Sequence, residues 1–207
     1  MIHTSREREE NNMRIIKVKN YDEVSVKTAN MILGQVNLKP DAVLGLATGG
    51  SPVGAYKKIV EAYNNGEVDF SGVTTINLDE YRGIKRNHEQ SYWSFMQENL
   101  FKHVNVREDH IFIPNGENLN SEEVCREYDK IIENAGGIDM QLLGIGLDGH
   151  IGFNEPADHF EKKYTLCGTD GEHDRGKQEI FLRVRMKFRV RHIPWVSCQS
   201  YRQRKSS

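Results

Sequence analysis

The run AVLGLA, from Ala42 to Ala47, constrains this chain more than any other stretch, because its six residues offer no polar side chain to either face. A strand that is apolar on both sides has to be covered on both sides, which points to a parallel sheet flanked by helices. The neighbouring segments fit that frame. VGAYKKIVEAYNNG reads as a helix with Pro52 near its first turn and Gly66 at its end. YDEVSVKTANMILGQVN spaces Val24, Ala29, Ile32 and Val36 along one helical face and is closed by Lys39 and Pro40. MRIIKVKN, VTTINL, HIFIP and DMQLLGIG read as further strands. SYWSFMQENLFKHV reads as a helix offering Tyr92, Phe95, Met96 and Leu100 to a core, and another helix opens at Ser121 with Glu122 and Glu123 in its first turn. Strands alternating with helices predict an α/β fold with a mainly parallel sheet.

Composition removes several classes of function. Among the 207 residues no apolar run approaches the ~20 that would span a bilayer, so no membrane partner is expected. MIHTSREREENN, residues 1–12, lacks an apolar stretch and reads as a disordered extension rather than a secretory signal, with Met13 as a second start. Cys125, Cys167 and Cys198 have neither pairing parity nor metal-ligand spacing, which argues against a disulfide framework or a zinc site and for a cytoplasmic setting. Charge is uneven: residues 161–207 hold 12 of the 28 Lys and Arg but 5 of the 30 Asp and Glu. A basic arm of this kind ordinarily suggests nucleic acid.

Reactive groups in a parallel sheet gather in the loops at the carboxyl ends of the strands. TGGSP supplies Thr48, Gly49, Gly50 and Ser51 at a strand-to-helix junction, where backbone N–H groups, hydroxyls and a helix N-terminus can cradle a phosphate; a plain tight turn is the other reading. NLDEY puts Asp79 and Glu80 just past a strand, either as helix caps or solvated charges, or as a reactive carboxylate. LLGIGLDGHIGFNEP carries Asp148, His150 and Glu155 on a run made pliable by Gly146, Gly149 and Gly152. A carboxylate beside an imidazole orients it and raises its pKa, giving a proton shuttle near neutral pH. A metal site and a locally satisfied loop histidine are the alternatives, although Asp-x-His with one distant Glu matches no strong metal pattern.

LGLATGGSPVGAYK, NLDEY followed by SYWSFM, and GIGLDGHIGFNEP, in this order and spacing, resemble the glucosamine-6-phosphate deaminase family from about Met13 to Phe160. The resemblance implies a Rossmann-like fold, ribose-5-phosphate isomerase/CoA transferase-like, as one α/β catalytic domain over 13–165. It also implies conversion of glucosamine 6-phosphate and water to fructose 6-phosphate and ammonia. Asp79 then matches the family's enolisation base, and Asp148, His150 and Glu155 its ring-opening group. Thr48, Gly49, Gly50 and Ser51 match the loop receiving the sugar phosphate. No metal, nucleotide or redox cofactor is implied, the partner is a small sugar phosphate, and a homo-oligomer stays open for a full-length form.

The resemblance stops soon after NEPADHFEKKYTL, where the family continues with an arginine and a lysine that hold the phosphate. Bases encoding DRGKQEIF, Asp174 to Phe181, can be chosen so that reading one base along gives IEANKRF, a family-like helix. Bases for Lys187 to Ser197, read two along, can likewise give VPRQAYTMGI. A shifted reading frame therefore explains the basic tail, residues 166–207, better than an evolved nucleic-acid arm does, so no nucleic-acid partner is expected. The tail should be poorly ordered, the sheet incomplete, and the literal chain unstable or nearly inactive. A phosphosugar sensor without catalysis, and a related sugar-phosphate isomerase or lactonase, are the competing functions.

Overall fold

The computed structural model describes residues 15–145 and Gly149. Four helices alternate with four strands: α1 (Tyr21–Leu38), β1 (Val43–Leu46), α2 (Val53–Asn64), β2 (Thr74–Asn77), α3 (Tyr92–Asn99), β3 (Ile111–Phe112), α4 (Ser121–Asn134) and β4 (Met140–Gln141). The strands form one sheet in the order β3-β2-β1-β4, and every pairing is parallel. The Rossmann-like α/β class read from the sequence is the one observed.

β1 holds the centre because it is apolar throughout and buried at all four positions. Its side chains alternate between faces. Leu44 and Leu46 join Ile32, Val36, Tyr56, Ile59 and Met96 in one core beneath α1, α2 and α3. Val43, with Ile76 of β2, meets Val124, Cys125 and Tyr128 of α4 on the other face. Covering both faces is what lets a strand dispense with polar residues.

Local chemistry sets the helix ends. The Asn20 side chain accepts the Glu23 N–H at 2.9 Å to open α1, and Lys39 closes it by donating its own N–H to the Gln35 carbonyl. Pro52 stands at the start of α2, and Gly66, just past its end, adopts φ 75°, a left-handed conformation that disfavours side chains. α4 opens at Ser121 as expected, and the Asn120 side chain before it caps the helix by accepting the Glu123 N–H.

The structure departs from the sequence reading at both ends of the described chain. The described part of MRIIKVKN, Ile15 onward, forms no strand: residues 15–18 are irregular and Ile15 is 71% exposed. Its alternating pattern suits a strand, but an isolated extended segment has no partner for its backbone groups. β4 is confined to Met140 and Gln141 within the longer run DMQLLGIG. What anchors β4 is Asp139, whose carboxylate accepts the Val43 N–H at 2.8 Å and pairs with the Lys39 ammonium at 2.6 Å.

Candidate active site

The loops following β1 and β2 open on one cleft of about 830 Å³. Its lining includes Thr48, Gly49, Gly50 and Ser51 after β1, and Asp79 and Tyr92 beyond β2. A further wall is made by Leu142 to Ile145, the chain that leads from β4 into residues 146–155. Asp148, His150 and Glu155 themselves lie outside the described residues.

The first loop is held at its ends rather than by packing. Gly49 has φ 90°, and an added Cβ at Gly49 or Gly50 would meet nothing within 4 Å. Before the loop, the buried Tyr56 hydroxyl donates to the Ala47 carbonyl at 2.5 Å, and burial holds that phenol above its ordinary pKa. After it, α2 begins at Val53, so the loop meets the positive end of a helix.

NLDEY separates into two jobs. Asp79 is 7% exposed and lines the cleft, whereas Glu80, its neighbour, turns to the N-terminus of α3. The Glu80 carboxylate accepts the N–H groups of Tyr81 at 2.9 Å, Tyr92 at 3.0 Å and Trp93 at 3.4 Å. The helix-cap reading therefore applies to Glu80 and the cleft-facing one to Asp79. Burial is the larger influence on Glu80 and raises its pKa, with the three N–H groups pulling the other way. Ser91 completes the α3 cap, accepting the Ser94 N–H at 3.0 Å and donating to the Arg86 carbonyl at 2.7 Å.

Tyr92 is the residue that pattern reading misplaced. Expected in the core with Met96 and Leu100, it sits in the first turn of α3 and faces the cleft, while Met96 and Leu100 are buried as expected. Its hydroxyl hydrogen-bonds with Thr48 and with Tyr81, whose ring centroid is 4.9 Å from its own. Burial, then the nearby Asp79 charge, then the Tyr81 hydroxyl, hold the Tyr92 phenol far above the usual value, so it stays protonated. One side chain thus ties the β1 loop to the surroundings of Asp79. The only sequence hint was its place directly after the Ser91 cap.

Among the described residues no group of three or more His, Cys, Asp or Glu is arranged to hold a metal, and no helix is long and apolar enough to cross a membrane. A buried carboxylate, a Gly-rich loop at a helix start and a protonated phenol around one cleft suit proton transfer on a small phosphorylated molecule.

Comparison with known proteins places this arrangement. The family model described as glucosamine-6-phosphate isomerases/6-phosphogluconolactonase matches residues 19–170. The chain belongs to this family. A glucosamine-6-phosphate deaminase from Clostridium botulinum (strain Loch Maree / Type A3) is 57% identical over 158 residues, spanning 76% of this chain and 65% of that protein. The Lachnoclostridium phytofermentans deaminase is 53% identical over 150 residues, 72% of this chain and 64% of its own length. This chain thus spans less than two thirds of the length of these two deaminases. Among solved structures, a monomeric glucosamine-6-phosphate deaminase superposes with a TM-score of 0.68 at 41% identity, covering 70% of this chain and 60% of that one. The Thermotoga maritima 6-phosphogluconolactonase, at 21% identity and a TM-score of 0.53, shares the fold.

Proposed function

We propose that this chain carries the proton-transfer part of a glucosamine-6-phosphate deaminase, which turns glucosamine 6-phosphate and water into fructose 6-phosphate and ammonia. The observation that carries the reading is the convergence of Asp79 and the Thr48–Ser51 loop on one cleft that Leu142 to Ile145 also line. Thr48, Gly49, Gly50 and Ser51 receive the phosphate through backbone N–H groups and hydroxyls. His150, poised by Asp148 and Glu155, moves the proton that opens the sugar ring and frees an aldehyde at C1. Asp79 removes the C2 proton to give an enolamine and returns a proton to C1, leaving an imine at C2. Water adds to that imine and ammonia leaves. No step needs an outside oxidant or reductant, because C1 gains what C2 loses; the ring-opening proton travels through His150 and the carbon-bound proton through Asp79.

The basic tail belongs to the same proposal. The family match ends at residue 170, near where a shift of reading frame explains the sequence, and the phosphate-holding Arg and Lys are not legible beyond it. The substrate is a sugar phosphate in the cytoplasm, without a nucleic-acid partner. The test is ammonia release from glucosamine 6-phosphate, measured for the 207-residue chain and for a version with the family frame restored. Strong release is expected from the restored chain and little from the literal one. Asp79→Asn and His150→Gln should each slow the restored enzyme by about 10²- to 10⁴-fold. No ammonia from the restored protein, or full activity in Asp79→Asn, would overturn the assignment.

A further inference from the structure

Resting on the reading of Thr48–Ser51 as the phosphate cradle, we infer that Tyr21, the first residue of α1, is a positioning residue that sets the shape of that cradle from outside the cleft. The Tyr21 hydroxyl shares its one proton between the carbonyls of Gly50 at 3.2 Å and Ser51 at 3.1 Å, and accepts the Gly54 N–H at 2.8 Å. A single atom therefore spans the exit of the loop and the first turn of α2. Its partners lie 29 to 33 residues away in sequence, two in the loop after β1 and one in the first turn of α2.

The loop needs such a restraint. Neither Gly49 nor Gly50 has anything within 4 Å of a Cβ position, so side-chain packing does not hold it, and glycine leaves its backbone free to rotate. A trans peptide unit points its carbonyl and the following N–H in opposite directions. Turning the Gly50 carbonyl toward Tyr21 therefore turns the Ser51 N–H away from α1. The next unit, whose Ser51 carbonyl is also held, has no N–H because it joins Pro52. Fixing these two carbonyls fixes which amide of this turn is presented to an anion.

Gly54 is the counterpart of this contact. A Cβ there would come within 2.2 Å of the Ser25 hydroxyl and 2.9 Å of the Tyr21 hydroxyl. Only a residue without a side chain lets α1 approach α2 closely enough for Tyr21 to reach over the loop. The Tyr56 hydroxyl on Ala47 fixes the entry of the loop and Tyr21 fixes its exit. Tyr21 is 42% exposed, so Tyr21→Phe removes the hydroxyl without opening a cavity in the core.

The experiment uses the whole 207-residue chain, labelled with nitrogen-15, as wild type, Tyr21→Phe and the control Tyr63→Phe. Inorganic phosphate is titrated while the amide signals of Gly49, Gly50 and Ser51 are followed, and hydrogen exchange of the Gly54 amide is measured without phosphate. Tyr21→Phe should exchange the Gly54 amide faster and weaken phosphate binding about fivefold, the size of one ordinary hydrogen bond, while Tyr63→Phe matches wild type in both. Faster Gly54 exchange with unchanged phosphate affinity would reduce Tyr21 to a merely structural contact and overturn the inference. Unchanged exchange would show that the hydroxyl does not hold the turn, with the same consequence. The same titration on the frame-restored chain decides the cradle itself: if its wild type shows no phosphate response at the loop, the cradle reading fails and Tyr21's role falls with it.

Discussion

Replacing Glu80 tests the division of labour between the two carboxylates of NLDEY. Its carboxylate accepts three backbone N–H groups, two of them from the opening of α3, at Tyr92 and Trp93. Hydrogen bonds to a charged acceptor contribute about 1.5 to 3 kcal/mol each, and loss of a helix cap about 0.5 to 2 kcal/mol. Burying the carboxylate offsets part of this, which is why its pKa is raised rather than lowered. The long contact to Trp93 at 3.4 Å adds little, and Ser91 still caps the Ser94 N–H in the variant. Glu80→Ala should therefore cost about 2 to 3 kcal/mol, and Glu80→Gln, which keeps one acceptor oxygen, about 1 kcal/mol. Urea unfolding of the 207-residue chain at neutral pH, followed by circular dichroism with the slope unchanged, measures both. The pH dependence has a defined sign. A carboxyl whose pKa is raised by folding binds its proton more tightly in the native state, so native Glu80 loses stability as pH rises through its titration. The margin of wild type over Glu80→Gln should thus be widest on the acid side and shrink toward neutrality. A loss below about 0.5 kcal/mol in Glu80→Ala, within the range of ordinary surface changes, or a margin that widens with pH, would refute the reasoning.

Two further outcomes follow from the sheet. Asp139→Ala removes both the Val43 amide's acceptor and the Lys39 ion pair, and should lower unfolding free energy by about 2 kcal/mol in the same assay, while Lys39→Met, which removes only the partly exposed ion pair, should cost under about 1 kcal/mol. Gly45→Ala would set a Cβ 2.0 Å from the Gln141 Oε1; displacing that side chain from the β1–β4 junction should cost about 1 to 3 kcal/mol, and an unchanged thermal midpoint would show that Gln141 swings aside freely.

The parts of the fold legible in the sequence are those whose signal is local. AVLGLA is apolar without interruption because both faces of β1 are covered, and the start of α2 and its glycine end are written within a few residues of each other. MRIIKVKN carries an equally clear alternation, yet its described part makes no strand, because pairing depends on a partner that the pattern cannot supply. In the candidate site, Asp79 and Glu80 are chemically alike and adjacent, and only their opposite orientations past β2 separate a cleft carboxylate from a helix cap. Tyr92 satisfies the helical spacing of a core residue, but its position in the first turn brings it to the cleft instead. Tyr21 acts on a loop about thirty residues away, a distance at which periodicity carries no information.

The pairing of β4 with β1 joins Gly45 to Gln141, whereas β2 meets β1 within about thirty residues of it. Closing the longer loop costs more chain entropy, and that cost is met before the contact gives anything back. The central strand therefore stands half-paired while residues 78–139 are made, with β2 on one edge and the other waiting for Met140 and Gln141 to emerge. Asp139, immediately before them in the chain, binds Val43 and Lys39 and so holds their register. Assembly of this side of the cleft is in this sense a late event: its wall at Leu142 to Ile145 takes its place only after β4 has docked.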